Sequence, residues 1–313
     1  MSTEDGAYGH HLRTFDGTAW SELDRIPTTQ AVFAGALVRD DAGCIHTAHW
    51  PGTARGPGAS PTLHLTRSPD GRWSAHRAGS GSAPNLGAAM ALDSSGVAHL
   101  AWNERVDGEA MPAWASSATA TVEWISMPAG TPIEVAVVAG GGDEIVHVVT
   151  GGGGVHHAVR RGAAWTIATL AVDAEESDCG GAVEDATCRT HTLVHAPLAI
   201  VTSGSGEVRL LWSRTESRVV STGRCTPPGP GGPMMERCDW QTTSREDTRS
   251  IVIADPSTSP PAISTAVRGM GGITGTAAVD REGRIHLAVY EQVPGSGATV
   301  ARYAMIAAPS AAR

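Results

Sequence analysis

GAAMALDSSGVAHLAW (residues 87–102) contains the pattern that decides the fold: a run of small apolar residues, a turn with Asp and Gly, and a second apolar run with a polar residue near its start. Four other stretches repeat it: GALVRDDAGCIHTAHW (35–50), VAVVAGGGDEIVHVVT (135–150), AIVTSGSGEVRLLW (199–212) and GTAAVDREGRIHLAVY (275–290). The polar residues that align across the five copies are His46, His99, His147, Arg209 and His286. Three positions earlier, four copies have a glycine and the third copy has Glu144. Six positions earlier, three copies have an aspartate: Asp40, Asp93 and Asp280.

Each copy is predicted to form two antiparallel strands joined by a tight turn. Glycine supplies the positive φ that a short hairpin needs, and an Asp side chain can bond the turn backbone. A second pattern follows each copy: a strand, a polar turn, and a strand that opens with Trp. Its clearest forms are LHLTRSPDGRWSAHRA (63–78) and VHHAVRRGAAWTIATL (155–170), and looser forms run through Trp124 and Trp240. The chain opens with the same unit, HHLRTFDGTAWSELDRI (10–26).

Alternating hairpins of these two kinds predict a β-propeller, in which each blade is a four-stranded antiparallel sheet. Five pairs of hairpins predict five blades, closed by pairing the N-terminal strands with the C-terminal strands. ATVARYAMIA (298–307) is a further predicted strand, and it leaves six blades as the alternative. The whole chain, residues 1–313, is predicted as one all-β domain with cysteine-bracketed loops inserted at about 173–195 and 222–240.

The composition excludes several classes of protein. All 23 basic side chains are arginines, and 32 acidic side chains give a formal net charge of −9 at pH 7. An acidic chain without basic clusters is not typical of proteins that bind nucleic acid. No apolar run approaches the roughly 20 residues that span a bilayer, so we expect no membrane insertion. With 41% hydrophobic residues, the chain is expected to fold around a substantial core.

The five cysteines predict two local disulfides. Cys179 with Cys188, and Cys225 with Cys238, each bracket a polar loop, whereas Cys44 stands alone. Disulfides are typical of oxidising compartments. The N-terminal MSTEDG has neither the basic nor the apolar region of a signal peptide. We therefore expect a mature extracellular or periplasmic form that lacks its signal peptide, with a cytoplasmic location as the alternative.

The aligned polar residues are candidate ligand-binding positions. Four imidazoles from four blades offer the ligands of a metal centre. A position repeated in every blade, however, more often serves the blade itself, for example by hydrogen bonding to the backbone of a neighbouring blade. We therefore predict a structural role for His46, His99, His147, Arg209 and His286, with ligand binding as the alternative.

Metal sites near the cysteines are further alternatives. Cys179, Cys188, His191 and His195 offer two thiolates and two imidazoles for a tetrahedral zinc, although eight residues separate the cysteines. Several acidic residues of the same segment offer oxygen ligands for calcium, but without the spacing of an EF-hand loop. These acidic residues are Asp173, Glu175, Glu176, Asp178, Glu184 and Asp185. The disulfide and a solvated loop are the predictions here, without a cofactor.

The pattern D-x-x-G-x-x-H-x-A-aromatic followed by DG-x-W resembles the propeller repeats of secreted bacterial proteins of the sialidase-like and Asp-box type. Residues 68–73 (SPDGRW) are close to an Asp-box but one residue short. The resemblance implies the propeller fold. An Asp-box is a structural turn between outer strands, so the resemblance implies no catalytic residue.

Arg25-Ile26-Pro27 resembles part of the F/Y-R-I-P motif of sialidases, whose Arg grips a substrate carboxylate. Asp24 stands where the motif has its aromatic residue. A sialidase also needs a Tyr nucleophile paired with a Glu, and Tyr290 is followed by Glu291. Adjacent residues of a strand point to opposite faces, so this pair is not expected to act together.

The sequence favours a non-catalytic binding or scaffold propeller for a glycan or protein partner. It has no G-x-S-x-G, P-loop or H-E-x-x-H motif. The tryptophans recur with the hairpins and are predicted as core. The alternative is a carbohydrate-active hydrolase or lyase, sialidase-like, with its site at one mouth of the channel. Two carboxylates, or a histidine and a carboxylate, brought together in space would favour the enzyme.

Overall fold

The structure is a computed structural model that describes residues 11–15, 17–27, 32–51, 63–77, 88–106, 109–119, 121–130, 133–140, 143–181, 185–203, 205–226, 237–272, 274–292 and 298–307. Every regular element in these ranges is a β-strand, which agrees with the all-β prediction. The described residues contain no helix of the length and hydropathy that would cross a membrane.

The described strands form antiparallel sheets, and the strands are numbered in chain order. They are β1 (His11–Leu12), β2 (Asp24–Arg25), β3 (Val32–Arg39), β4 (Ile45–Pro51), β5 (Leu63–Arg67), β6 (Trp73–Arg77), β7 (Ala88–Leu92), β8 (Ala98–Val106), β9 (Glu109–Ser116), β10 (Glu123–Trp124), β11 (Ile133–Gly140), β12 (Asp143–Thr150), β13 (Gly154–Arg161), β14 (Ala164–Val172), β15 (Ala174–Gly180), β16 (Ala186–Thr202), β17 (Val208–Thr226), β18 (Arg237–Asp255), β19 (Ala262–Arg268), β20 (Thr274–Val279), β21 (Ile285–Gln292) and β22 (Thr299–Ile306).

Strands that follow one another in sequence pair with one another. Three sheets have four strands each, in the orders β3-β4-β5-β6, β7-β8-β9-β10 and β11-β12-β13-β14. A fourth sheet has the order β15-β16-β17-β18-β19, a fifth has β20-β21-β22, and β1 pairs with β2. The first hairpins of the five copies are therefore β3-β4, β7-β8, β11-β12, β16-β17 and β20-β21, as the repeats predict.

The turns of these hairpins have the conformation that the glycines predict. Gly43, Gly96, Gly206 and Gly283 all have positive φ, between 77° and 86°. In the second copy the Gly96 amide donates to the Asp93 carbonyl, and the Asp93 amide donates to the Val97 carbonyl. A tight turn with a left-handed glycine thus closes each of these four hairpins.

The two ends of the chain pair locally. Among the described strands, β1 bonds only to β2, and β22 is the third strand of the sheet β20-β21-β22. The predicted pairing of N-terminal with C-terminal strands is therefore not among the strand pairs of the described residues. The stretch 298–307 does form the predicted strand, and it joins the last hairpin in its own sheet.

The cysteine-bracketed segments differ from the loops that the sequence predicts. Cys179 pairs across β15-β16 with Cys188, and Cys225 pairs across β17-β18 with Cys238, and both pairs are disulfides. Apart from 182–184 and 227–236, which lie outside the described residues, these segments are strands. Trp240 consequently lies inside the long strand β18, opposite Gly223, and does not open a second hairpin.

The chain divides into two compact units. Unit 1 comprises Met1–Gly152, His156–Thr169 and Ile200–Val208, and unit 2 comprises Gly153–Val155, Leu170–Ala199 and Arg209–Arg313. In unit 1 the first strands of three sheets pack together, with β7 in contact with both β3 and β11. Small residues such as Ala88 and Ala89 occupy this contact and are almost fully buried. Small side chains let backbones approach closely, so the turns of neighbouring hairpins, which hold Asp93 and Glu144, can also meet.

Candidate active site

The five aligned polar residues bond within their own sheets. Nε2 of His46, His99 and His286 lies 3.2, 3.4 and 2.9 Å from the carboxylate of the aspartate six residues earlier. Arg209 instead pairs with Asp255 at 3.1 Å. Each of these three histidines locks its own turn, because the same aspartate also accepts backbone amides of that turn.

His147 is the aligned residue without an aspartate six positions before it. Its Nδ1 lies 3.0 Å from Nε2 of His157 on the neighbouring strand β13, and the two rings are stacked. His46 and His64 form the same kind of pair at 3.0 Å. Burial lowers the pKa of His147 to about 4, of His64 to about 4 and of His157 to about 3. These imidazoles are therefore neutral at pH 7.

In the second copy a third group joins the aspartate and the histidine. Glu144, from the start of β12 in the next sheet, places a carboxyl oxygen 3.5 Å from His99 Nε2, and it hydrogen bonds with Asp93. Ligand atoms of Asp93, His99 and Glu144 lie within 4.8 Å of one another. The side chains of Asp93 and His99 are 2% exposed, whereas that of Glu144 is 47% exposed. The structure thus gathers two carboxyls and an imidazole, one carboxyl facing solvent.

The two carboxyls have very different affinities for a proton. The hydrogen bond with Asp93, together with burial and the Asp93 charge, raises the pKa of Glu144 to about 7. Burial alone raises the pKa of Asp93, but hydrogen bonds from Glu144, Ser95 and the turn backbone outweigh it and lower that pKa well below its usual range. Below about pH 7 the pair therefore holds one proton, on Glu144. Environments that separate two carboxyl pKa values are typical of acid–base catalysis.

A cation, Arg160, and a further carboxylate, Glu123, lie next to this cluster. Trp114 contacts the His99 ring at 5.6 Å, and the Arg160 guanidinium lies over Trp114 at 4.5 Å. Arg160 donates two hydrogen bonds to Glu123, at 2.9 and 2.7 Å, and these lower the pKa of Glu123. The positive charge of Arg160 also acts on Glu144. An ionised carboxylate and a protonated one thus lie within the field of a single guanidinium.

Asp93, His99 and Glu144 also offer two oxygens and one nitrogen to a divalent cation. A ligating histidine normally donates its other N–H to a carboxylate, carbonyl or water. Nδ1 of His99 is buried and has no such partner among the described residues. The proton on Glu144 is a further obstacle, because a ligating carboxylate is deprotonated. The arrangement fits proton transfer better than metal binding.

The remaining predicted site residues are not gathered into a site. Arg25 is an exposed residue of β2 that pairs with His11. Tyr290 is exposed and Glu291 is buried, as expected for neighbours on opposite faces. Cys44 is half-buried, and burial raises the pKa of its thiol.

The four residues of the alternative zinc site have other partners. Cys179 and Cys188 are bonded to each other, so neither is a free thiolate. His191 lies 3.1 Å from Glu216, and His195 accepts a hydrogen bond from Trp212 at 3.1 Å. Of the acidic residues weighed as calcium ligands, Asp173 accepts the His195 amide, three others lie on the exposed strand β15, and Glu184 lies outside the described residues.

The tryptophans do not all belong to the core. Trp102, Trp114 and Trp212 are buried as predicted. Trp20, Trp124 and Trp240 are 64%, 50% and 41% exposed. The prediction that the tryptophans of the hairpins are all buried is therefore wrong. The outer strands of a sheet can present one face to solvent, and a tryptophan on that face is exposed.

Sequence reasoning did not identify Glu144 as a member of this cluster. The one available signal was that Glu144 replaces the glycine that the other four copies keep. Glu134 was also missed. It lies on β11, and burial raises the pKa of its carboxyl to about 8. A strand pattern alone does not reveal either carboxyl as protonated.

No family matches the chain in sequence, and no curated protein does. Among the solved structures that align with it, two do so at 10% identity. One is described as "The GH130 family of mannoside phosphorylases contains glycoside hydrolases that target beta-1,2 mannosidic linkages in Candida mannan", with a TM-score of 0.37 and 98% of each chain covered. The other is the catalytic domain of Coprinopsis cinerea GH62 alpha-L-arabinofuranosidase, with a TM-score of 0.30, covering 90% of this chain and 93% of that one.

The prediction of a non-catalytic binding or scaffold module is corrected. Within the described residues, Asp93, Glu144 and His99 meet the condition set for an enzyme, since two carboxyls and a histidine converge.

Proposed function

We propose that the protein is a carbohydrate-active hydrolase that cleaves glycosidic bonds with Glu144 as the general acid. The observation that carries this proposal is the convergence of Asp93, His99 and the half-exposed Glu144 within 4.8 Å, a contact that raises the pKa of Glu144 to about 7. A general acid works best when its pKa lies near the working pH. Glycosidic bonds need such an acid, because the leaving alkoxide must be protonated as it departs.

The neighbouring groups have distinct roles in this proposal. Asp93 is a positioning residue: its ionised carboxylate raises the pKa of Glu144 and so keeps it protonated. Glu123, ionised beside Arg160 and bonded by Trp165 at 2.8 Å, supplies the second carboxylate of a glycosidase. It would act as the base or nucleophile, or stabilise the positive charge that develops on the sugar.

We also propose the finer points of fold and location. The sheets are blades of one propeller domain spanning residues 1–313, with five blades or, as the alternative, six. Two disulfides support an oxidising compartment outside the cytoplasm. The expectations of no resident cofactor, no nucleic-acid partner and no membrane insertion remain predictions.

The dependence of rate on the leaving group tests the proposal. A pooled screen of aryl and alkyl glycosides first identifies a hydrolysed sugar. Glu144→Gln should then lower kcat/KM about 10²–10⁴-fold for substrates with poor leaving groups. It should lower it far less for 2,4-dinitrophenyl glycosides, which depart without protonation.

The matched control is Glu134→Gln, which alters another carboxyl of raised pKa while leaving the Asp93 pair intact. It should retain the leaving-group dependence of the wild type. No hydrolysis of any glycoside in the screen, or an equal loss in Glu144→Gln for all leaving groups, would refute the proposal.

A further inference from the structure

A second candidate site lies in unit 2, on one face of strands β17, β18 and β19. Arg214 pairs with Ser250, and Ser250 pairs with Arg268, so the three form one row across adjacent strands. Side chains directly opposite one another in a row point to the same face. The small Ser250 therefore lies between two guanidinium side chains. The row borders a cleft with a cavity volume of about 370 Å³.

Three arginines and two carboxylates line this cleft: Arg214, Arg249 and Arg268 with Glu216 and Asp247. The carboxylate of Glu216 contacts one imidazole and two guanidiniums, with His191 at 3.1 Å, Arg218 at 2.9 Å and Arg214 at 3.5 Å. The contact with Arg214 is too long to be a strong hydrogen bond. Arg268 is exposed and has no ion pair with any other described residue. Two guanidiniums thus keep free donors on a chain whose net charge is −9.

Thr248, Ser250 and Thr265 supply three hydroxyls to the lining of the cleft. The lining also includes Glu216, Asp247, Arg249 and Gly269. Hydroxyls donate to oxyanions and also bond the hydroxyls of a sugar. Planar guanidiniums bind carboxylate and sulfate oxygens in pairs, with more geometric specificity than an ammonium.

We propose that this cleft binds an oxyanion, the carboxylate or sulfate ester of an acidic saccharide, between Arg214 and Arg268. Ser250 forms the floor on which the oxyanion sits, and the neighbouring hydroxyls bond the sugar. The identification of the ligand as a saccharide rests on the proposed function, whereas the binding of an oxyanion does not depend on it.

Titration calorimetry at constant low ionic strength tests the proposal. The probes are sodium sulfate and sodium glucuronate, with glucose as the neutral control. Arg268→Ala and Arg214→Ala should each weaken binding of the charged probes at least tenfold. Arg281→Ala is the matched control, since it removes an exposed arginine from the turn between β20 and β21. It should leave affinity unchanged apart from a small long-range effect.

Glu216→Gln provides a change of opposite sign. Removing its negative charge frees Arg214 for the ligand, so affinity should rise, which a purely structural role of Glu216 would not produce. Binding of sulfate alone or glucuronate alone identifies which oxyanion the cleft takes. Failure of both charged probes to bind, or equal losses in Arg268→Ala and Arg281→Ala, would overturn the proposal. The variants lie in unit 2, whereas Glu144 lies in unit 1. If the oxyanion does not bind but the protein still hydrolyses a glycoside, only the proposal for this cleft is wrong and the role of Glu144 stands.

Discussion

Lowering the pH from 8 to 5 should destabilise unit 1 through its buried, neutral histidines. His147 and His157 bond to each other at 3.0 Å, and both are less than a tenth exposed. Protonating either imidazole would create a buried positive charge. No carboxylate is among the groups that set the pKa of His147 or His157. In the unfolded chain the same imidazoles are solvated and protonate near pH 6.5.

The sign and size of the effect follow from linkage. Folding lowers the pKa of these groups, so their neutral forms stabilise the native state fully above about pH 6.5, and that stability is lost as the pH falls below it. With a folded pKa of about 3, His157 binds almost no proton at pH 5. The unfolded chain gains about 2 kcal/mol from protonating that residue at pH 5, so the free energy of unfolding falls by about that amount.

A variant isolates this contribution from the rest of the titration curve. His157→Asn keeps a hydrogen-bonding side chain but does not titrate. The loss of unfolding free energy between pH 8 and pH 5 should be smaller in this variant than in the wild type by about 2 kcal/mol. Comparing variants matters, because the raised pKa of Glu144 acts in the opposite direction: protonation of Glu144 favours the native state at low pH.

Urea unfolding followed by tryptophan fluorescence at pH 8, 6.5 and 5 measures the effect. His11→Asn, at an exposed position of β1, is the control and should show the pH dependence of the wild type. If His157→Asn and the wild type lose the same free energy between pH 8 and 5, the pair is not held neutral, and the reasoning fails.

Two further predictions concern the same hairpins. Asp93→Asn removes the charge that raises the Glu144 pKa, so the basic limb of the pH–rate profile should move from about 7 to lower pH; an unmoved limb would show that another group is the acid. Gly96→Ala should cost about 1–2 kcal/mol in urea unfolding, because φ at this position is +83° and the strain is in the backbone alone, with open space around the added methyl. Gly180→Ala, also in open space but without a positive φ, should cost much less, and equal losses would contradict the role of the turn.

The hairpins could be predicted because their signals are local. A glycine with positive φ, an aspartate that bonds its own turn, and apolar residues on either side all lie within a single stretch of about 16 residues. The long strands β17 and β18 could not be predicted from the same signals. Their ends are rich in Ser, Thr and Arg without an apolar face, as in RCDWQTTSRED (237–247), and such a composition is typical of loops. Backbone pairing and a disulfide hold these ends as strands instead.

The contact between Asp93 and Glu144 could not be predicted either, because it joins two hairpins that are distant in sequence. Its electrostatic consequence depends on distances of a few ångströms and on burial, and neither quantity is encoded by spacing along one strand. The repeat nevertheless marked the position. Gly43, Gly96 and Gly283 keep the turn, whereas the third copy gives up that glycine for a carboxyl.

Departures from the repeat therefore separate structural from chemical residues in this chain. Residues that recur in several copies stabilise the hairpin turn, as the Asp40–His46 and Asp280–His286 pairs show. The Asp93–His99 bond is geometrically the same, so by itself it gives no reason for catalysis. Glu144 changes the chemistry of this pair, because its carboxyl hydrogen bonds with Asp93, which the turn already holds in place. A rigid turn holds the Asp93 charge in place at no further conformational cost, and such preorganisation is what an acid with a raised pKa requires.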